Sequence, residues 1–269
     1  MSQVDDEKDL AERPLTRADL DAFREEMRQE FATLSRTLLG QIPRRVLHHH
    51  DLMAAVRDKD RRSAADYARR TMWHLTATPN PPAVWERAMA SVTLDGLCLE
   101  FGVFQGKSIT WFANKRPDLH FHGFDSFEGL PEHWVPGRSA GHFDQKGAMP
   151  EVPANVTLHR GWFDDTAPAF AAEHPGEQLA FVHIDGDLYS SAKIVFDTFA
   201  DAIVPGTIVL FDEYFNYPGW EDHEVKAWAE HVDRHAIAYE YLAFNNQGTQ
   251  VLARVLERGS ANPGVRVPR

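Results

Sequence analysis

Two short acidic motifs hold the side chains of this sequence best suited to chemistry. Phe181-Val182-His183-Ile184 runs into Asp185-Gly186-Asp187-Leu188-Tyr189, and Ile208-Val209-Leu210-Phe211 runs into Asp212-Glu213-Tyr214. Both lead-in runs are too apolar to be anything but buried, so carboxylates emerge from a core at two strand ends. Side by side, such groups repel and their pKa values rise. A hard divalent cation with oxygen ligands relieves the repulsion: Mg2+, Mn2+ or Ca2+ suits the donors, and Mg2+ keeps positions open for water or substrate. Helix caps and solvated loop charges are the plainer reading. Upstream, Glu100-Phe101-Gly102-Val103-Phe104-Gln105-Gly106-Lys107-Ser108 places two glycines four apart before a helix. Glycine lets the backbone approach a ligand, and the helix start offers unpaired N–H groups. The G-x-G-x-x-G pattern of dinucleotide folds is absent. Asp125, 23 residues after Gly102, stands where an acid accepts both hydroxyl protons of a ribose, although a turn at Ser126-Phe127-Glu128-Gly129-Leu130-Pro131 would use it as well. Trp162 and Phe163, after Arg160-Gly161, fit either the sides of a planar base or the core.

These residues need elements that bring them together. Short apolar runs at 97–103, 120–125, 155–159, 179–185 and 207–212, with helical segments between them, predict a parallel sheet covered on both faces. Two further strands, 237–244 and 249–255, flank Asn245-Asn246-Gln247-Gly248 and predict a C-terminal antiparallel hairpin. The fold class is α/β, a doubly wound, mostly parallel sheet of seven strands. Ligands bind such sheets outside the carboxyl ends of the strands, where the motifs above lie.

Residues 93–269 form the expected catalytic domain and residues 1–92 an acidic tail and helical extension. Residues 1–14 read as a frayed tail. Thr16 and Asp19 form a capping box for a helix whose Leu20, Phe23, Met27, Phe31, Leu34 and Leu38 share one stripe, up to Gly40 and Pro43. The stripe needs a partner surface, either the main domain or a second subunit. Another helix is expected from about Asp51 to Leu75, then a loop at Pro79-Asn80-Pro81-Pro82. The consecutive histidines 48–50 cannot share a helical face and read as solvated.

The 269 residues carry a formal net charge of -12 and 43% hydrophobic residues, the composition of a globular protein rather than a disordered one. No apolar run reaches the ~20 residues of a membrane span, and the charged start does not resemble a secretory signal, so a cytoplasmic location is expected. The single cysteine, Cys98, excludes an intrachain disulfide and a Cys-based zinc cage, and reads as a buried small hydrophobe. Without a basic stripe a nucleic-acid partner is not expected, and a small molecule is.

Taken in register, Glu100-x-Gly102 with Gly106, Asp125 to Pro131, Gly161-Trp162-Phe163 with Asp165-Thr166, Asp185-Gly186-Asp187-Leu188-Tyr189 and the acidic pair after strand five resemble the macrocin O-methyltransferase (TylF-type) family of class I S-adenosylmethionine-dependent methyltransferases. The resemblance covers about residues 96–230. It implies a Rossmann-like methyltransferase fold and O-methylation of a sugar or glycosylated natural product. By it, Glu100, Gly102 and Gly106 line the methionine end of S-adenosylmethionine, Asp125 holds the ribose and Gly161-Trp162 borders the adenine. Phe104, Ser108, Ser126, Phe163 and Asp185 complete that surface. Asp185, Asp212 and Glu213 become the ligands of Mg2+ or another hard cation. Members often show Asp-Asp where this chain has Asp212-Glu213.

Methyl transfer from a sulfonium requires in-line alignment of the acceptor oxygen and removal of its proton. Leu188 stands where catechol-type relatives carry a basic lysine, so Asp185 is the expected base, ahead of Asp187 and His223. Three other patterns compete. Tyr189-x-x-x-Lys193 has the spacing of short-chain dehydrogenases but lacks their glycine loop. Asp185-Gly186-Asp187 has the Asp-x-Asp form of metal-dependent glycosyltransferases, which leaves Glu100 and Asp125 unexplained. Asn80-Pro81-Pro82-Ala83 lacks the aromatic residue of DNA amino-methylating motifs. A non-enzymatic scaffold on the same sheet is the remaining alternative.

Overall fold

A computed structural model describes residues 16–41 and 52–267, and divides the chain into two compact units, Met1–Ala55 and Val56–Arg269. In the first unit, helix α1 (Arg17–Gln41) opens on the expected capping box. Asp19 N–H donates to Thr16 Oγ1 at 3.2 Å, and Thr16 N–H donates to Asp19 Oδ2 at 2.8 Å. These bonds satisfy backbone N–H groups that a helix start leaves without partners. Leu20, Phe23, Met27, Phe31 and Leu34 do lie on one stripe, all exposed. The tail before Thr16, the side chain of Leu38, Pro43 and the histidines at 48–50 lie outside the described residues.

Helix α2 (Leu52–Thr71) leads into α3 (Pro81–Ser91), where the sequence predicts a loop at its start. Asn80 instead caps α3 through Ala83 N–H, and Pro81 and Pro82 occupy the first turn, where a missing N–H costs nothing. The rest alternates as expected: β1 (Leu97–Phe101), α4 (Lys107–Lys115), β2 (Phe121–Asp125), β3 (Val156–Arg160), α5 (Phe163–Glu173), β4 (Leu179–Ile184), α6 (Tyr189–Thr198), β5 (Ile208–Phe211), α7 (Glu224–Arg234), β6 (Ala238–Phe244) and β7 (Val251–Glu257). An eighth strand, β8 (Gly264–Val265), pairs with β6. The expectation of seven strands is corrected to eight, because two residues are too short to show an alternation.

The strand order is β3-β2-β1-β4-β5-β7-β6-β8, parallel from β3 to β5 and antiparallel where β7 meets β5 and β6. Every residue of β1, β4 and β5 is buried, as central strands of a covered parallel sheet require. One apolar layer holds Ala64, Met72, Phe170, Phe196 and Trp228; the other holds Val84, Trp85, Met89, Ile109 and Phe112. Cys98 is buried between strands, and desolvation pushes its thiol up to about 12. Among the described residues no helix is long and apolar enough to cross a membrane.

Order reverses between β1 and β4, whose carboxyl ends open the crevice of such sheets. Gly102 sits there with φ +97, and a Cβ at this position would stand 1.8 Å from the Asp185 carbonyl oxygen. β1 therefore ends at Phe101, two residues before the expected Val103. Asp185 N–H donates to Phe101 C=O at 2.8 Å, closing the two strand ends together.

Candidate active site

A cavity of about 620 Å³ opens at that reversal point. Of the expected residues it is lined by Gly102, Phe104, Asp125, Ser126, Trp162, Phe163, Asp185 and Glu213. The motifs from five separate strand ends therefore meet in one hollow. Asp187 joins them, with the loop between β2 and β3 supplying Leu130, Pro131, Glu132, Arg138 and Phe143.

Five expected positions do not line it: Glu100, Gly106, Ser108, Gly161 and Asp212. Glu100 is fully buried, accepting from Ser108 Oγ at 3.0 Å and meeting His183 Nδ1 at 2.9 Å. The cause is register. Glu100 lies opposite His183 in the β1–β4 pairing, on an all-buried strand, so its carboxylate turns into the protein rather than toward the cavity. Gly106 begins α4 in the left-handed region (φ +74), packed near Pro150 and Val152. Gly161 N–H donates to Asp125 C=O at 2.9 Å.

Asp125 does both things the sequence allows. It lines the cavity, and its carboxylate also anchors the glycine loop: Oδ2 accepts from Val103 N–H at 2.8 Å and Phe104 N–H at 2.7 Å, and Oδ1 from Phe127 N–H at 2.7 Å. A carboxylate has about four acceptor positions, so about one is left. In this arrangement about one acceptor position is open to a ribose hydroxyl.

The acidic ends of β4 and β5 are neighbours, as the apolar runs predict. Behind them runs a buried relay absent from the sequence reading. His183 Nε2 lies 3.6 Å from Asp212 Oδ1, and Asp212 Oδ2 accepts from Gln250 Nε2 at 3.0 Å. Burial alone would lower the His183 pKa, but the neighbouring carboxylates of Asp212 and Glu100 push it up to about 9. His183 lies between two carboxylates; Glu100 is raised by its burial, and Asp212, though desolvated, is held below the usual carboxylate range by His183. Burial, then the charge of Asp212, raises Asp185 well above that range. Glu213 is raised by burial and by Asp212 and Asp187. Asp187 is raised by burial to about 7, against the lowering influence of Arg138, whose guanidinium stacks on Trp134 and Phe143 at 4.8 and 5.2 Å from the ring centres. Glu224 was not singled out in the sequence. It is fully buried on α7, its Oε2 accepting Glu213 N–H at 3.2 Å.

Whether these residues suit a cation is answered by their unsatisfied atoms. Glu213 Oε2, Glu224 Oε1 and His183 Nε2 are buried without a hydrogen-bond partner, and buried carboxylate oxygens are costly in that state. Ligand atoms of His183, Asp185 and Asp212 lie within 4.8 Å of one another. The donor set is hard and acidic and fits a divalent cation. Here His183 joins Asp185 and Asp212, where the resemblance names Glu213.

One competing pattern dissolves in three dimensions. Tyr189 Oη donates to Glu230 and Lys193 Nζ to Asp197, so the two do not form a dehydrogenase pair. His223 does not line the cavity, and its imidazole is lowered by burial.

Comparison with known proteins agrees with this geometry. Residues 99–214 match a family model described as a methyltransferase domain. An 8-demethyl-8-(2,3-dimethoxy-alpha-L-rhamnosyl)-tetracenomycin-C 4'-O-methyltransferase of Streptomyces olivaceus is 32% identical over 154 residues, 46% of this chain and 56% of the relative. A mycinamicin III 3''-O-methyltransferase of Micromonospora griseorubida is 33% identical over 131 residues, 49% of this chain and 46% of the relative. The chain spans about half the length of the curated relatives it matches. The crystal structure of CalS11, a calicheamicin methyltransferase, superposes with a TM-score of 0.53 at 23% identity, covering 64% of this chain and 77% of that one, which establishes the shared fold. The resemblance carried by the motifs is borne out as a similarity: residues 99–214 match a methyltransferase domain, the sequence is similar to two sugar O-methyltransferases of natural-product compounds, and the Rossmann-like sheet is shared with CalS11.

Proposed function

We propose that the protein transfers a methyl group from S-adenosylmethionine to a hydroxyl of a small molecule, a sugar or a glycosylated natural product, with the help of a hard divalent cation such as Mg2+. The observation that carries the reading is the convergence of Gly102, Asp125, Trp162, Asp185 and Glu213 on one cavity at the β1/β4 reversal, within the segment that matches a methyltransferase domain. In the proposal residues 93–269 carry the chemistry, residues 1–92 are an extension serving the acceptor, and the enzyme works in the cytoplasm.

Gly102 presents bare backbone to the methionine part of the cofactor, Asp125 takes one ribose hydroxyl, and Trp162 and Phe163 flank the adenine. The sulfonium supplies an already electrophilic methyl group. Asp185, Asp212 and either His183 or Glu213 would hold the cation, which supplies a lowered pKa to an acceptor hydroxyl it touches. Asp185 is the proposed base, because burial, and then the charge of Asp212, lifts its pKa toward a range where it takes a proton. Arg138 and Phe143 bound the cavity from the β2–β3 loop and orient the acceptor.

The test has two parts. Calorimetric titration with S-adenosylhomocysteine is expected to show one site per chain, and absence of binding removes the proposal. Methyl transfer to rhamnosylated acceptors is expected to cease in chelator and in Asp212→Ala while cofactor binding survives. Undiminished turnover in chelator rejects the cation and leaves the methyltransferase reading standing.

A further inference from the structure

Helix α1 carries a feature that the cavity does not use. Leu20, Phe23, Met27, Phe31 and Leu34 are 46%, 60%, 46%, 71% and 55% exposed, an apolar stripe of five large side chains over four turns. Contiguous apolar surface of this kind marks an interaction site. The charges beside it decide what it fits. On a helix of 3.6 residues per turn, Arg17, Arg24 and Arg28 line one edge of the stripe, and Asp19, Glu26 and Glu30 line the other. Arg24 and Arg28 lean back on Asp21 (3.5 Å) and Glu25 (3.7 Å), exposed pairs that bind weakly and leave them able to reach a partner.

A stripe with one basic and one acidic edge is complementary to itself in one orientation. Two copies side by side and parallel, related by a two-fold along the helix direction, set each basic edge against the other's acidic edge. Antiparallel copies set basic on basic and acidic on acidic. From this we infer that α1 is a homodimer contact in which two copies of this chain pack their stripes parallel and in register, Met27 against the same residue of the second copy. Flanking charges choose orientation in paired helices generally, and a two-fold contact repeats each interaction twice. The inference stands independently of the methyltransferase reading.

Cysteine cross-linking of the full chain tests it, since the native Cys98 is buried. In a parallel, in-register pair every stripe residue meets its own copy. Leu20→Cys, Met27→Cys and Leu34→Cys, each oxidised separately with diamide, are all expected to give a disulfide-linked band of twice the chain mass, and the unsubstituted chain none. The spacings 3, 4, 4 and 3 are symmetric about Met27, so an antiparallel pair would cross-link Met27→Cys alone. Sedimentation of the unsubstituted chain is expected at twice the chain mass. The double variant Phe23→Glu with Phe31→Glu is expected at one chain mass with its thermal unfolding midpoint preserved. Any other cross-linking pattern, a monomeric unsubstituted chain, or a double variant that stays dimeric overturns the inference.

Discussion

Gly102→Ala is the sharpest perturbation the fold offers, because it loads the point where cofactor and acidic residues are brought together. The added Cβ would stand 1.8 Å from the Asp185 carbonyl oxygen at φ +97, so the ends of β1 and β4 must separate by over an ångström to relieve it. The left-handed backbone costs roughly 1–2 kcal/mol for an L side chain. Separation also breaks the Asp185 N–H to Phe101 C=O bond of 2.8 Å and leaves buried partners unsatisfied, about another 1–3 kcal/mol. A loss of about 2–5 kcal/mol is therefore expected, a large share of a typical 5–15 kcal/mol stability. Urea unfolding followed by tryptophan fluorescence measures it as a lower midpoint with unchanged slope. Because the Asp185 carboxylate rides on the displaced backbone, kcat/KM is also expected to fall about 100-fold, the effect of misplacing a reacting group by about 1 Å. A variant within about 0.5 kcal/mol of the parent and fully active would refute the close approach at the strand ends as the organising constraint.

Three further expectations follow from particular contacts. Glu100→Ala strips the buried His183 of a partner 2.9 Å away and is expected to cost about 3–5 kcal/mol in urea titration, whereas a ligand-contacting role would leave stability nearly unchanged. Trp162→Ala is expected to raise the Kd for S-adenosylhomocysteine by about two- to thirteenfold with little change in unfolding midpoint, the equivalent of a stacking contribution of roughly 0.5–1.5 kcal/mol. His122, 3.1 Å from His159 Nε2, is lowered to about 4 by burial and by His120, His159 and His174. Its folded pKa lies below its unfolded value. The neutral ring thus contributes stability above about pH 6.5, and that contribution is lost as pH falls toward 4, by about 1–2 kcal/mol after allowing for solvent screening. Urea midpoints at pH 7 and 4.5 should show the loss in the parent and a smaller one in His122→Phe.

Much of the site was legible because central strands of a covered parallel sheet are apolar throughout, so the first polar residue after each run marks its carboxyl end. Asp125, Asp185 and Asp212 were found in that way, and topology set the strands of Asp185 and Asp212 side by side, with β1 between them and the strand of Asp125. The surroundings of Glu100 were not legible for a related reason: it sits inside a strand, and only pairing with β4 shows that it faces His183. His183 did carry a signal, a polar side chain two positions before Asp185 in an otherwise apolar run, hence on the same face of the strand. Glu224 and Arg138 had none, because their segments reach the site by folding back from elsewhere along the chain.

By itself the sequence determined the alternation of strands and helices, the helix α1 stripe and the chemical types gathered at strand ends, since periodicity and local turn chemistry are properties of neighbours in the chain. Tertiary structure alone decided which carboxylates stay in the cavity and which turn into the core, how many lone pairs of Asp125 remain, and which histidine is buried between two carboxylates. Those outcomes depend on register, burial and distance between residues far apart in sequence, and no local pattern encodes them.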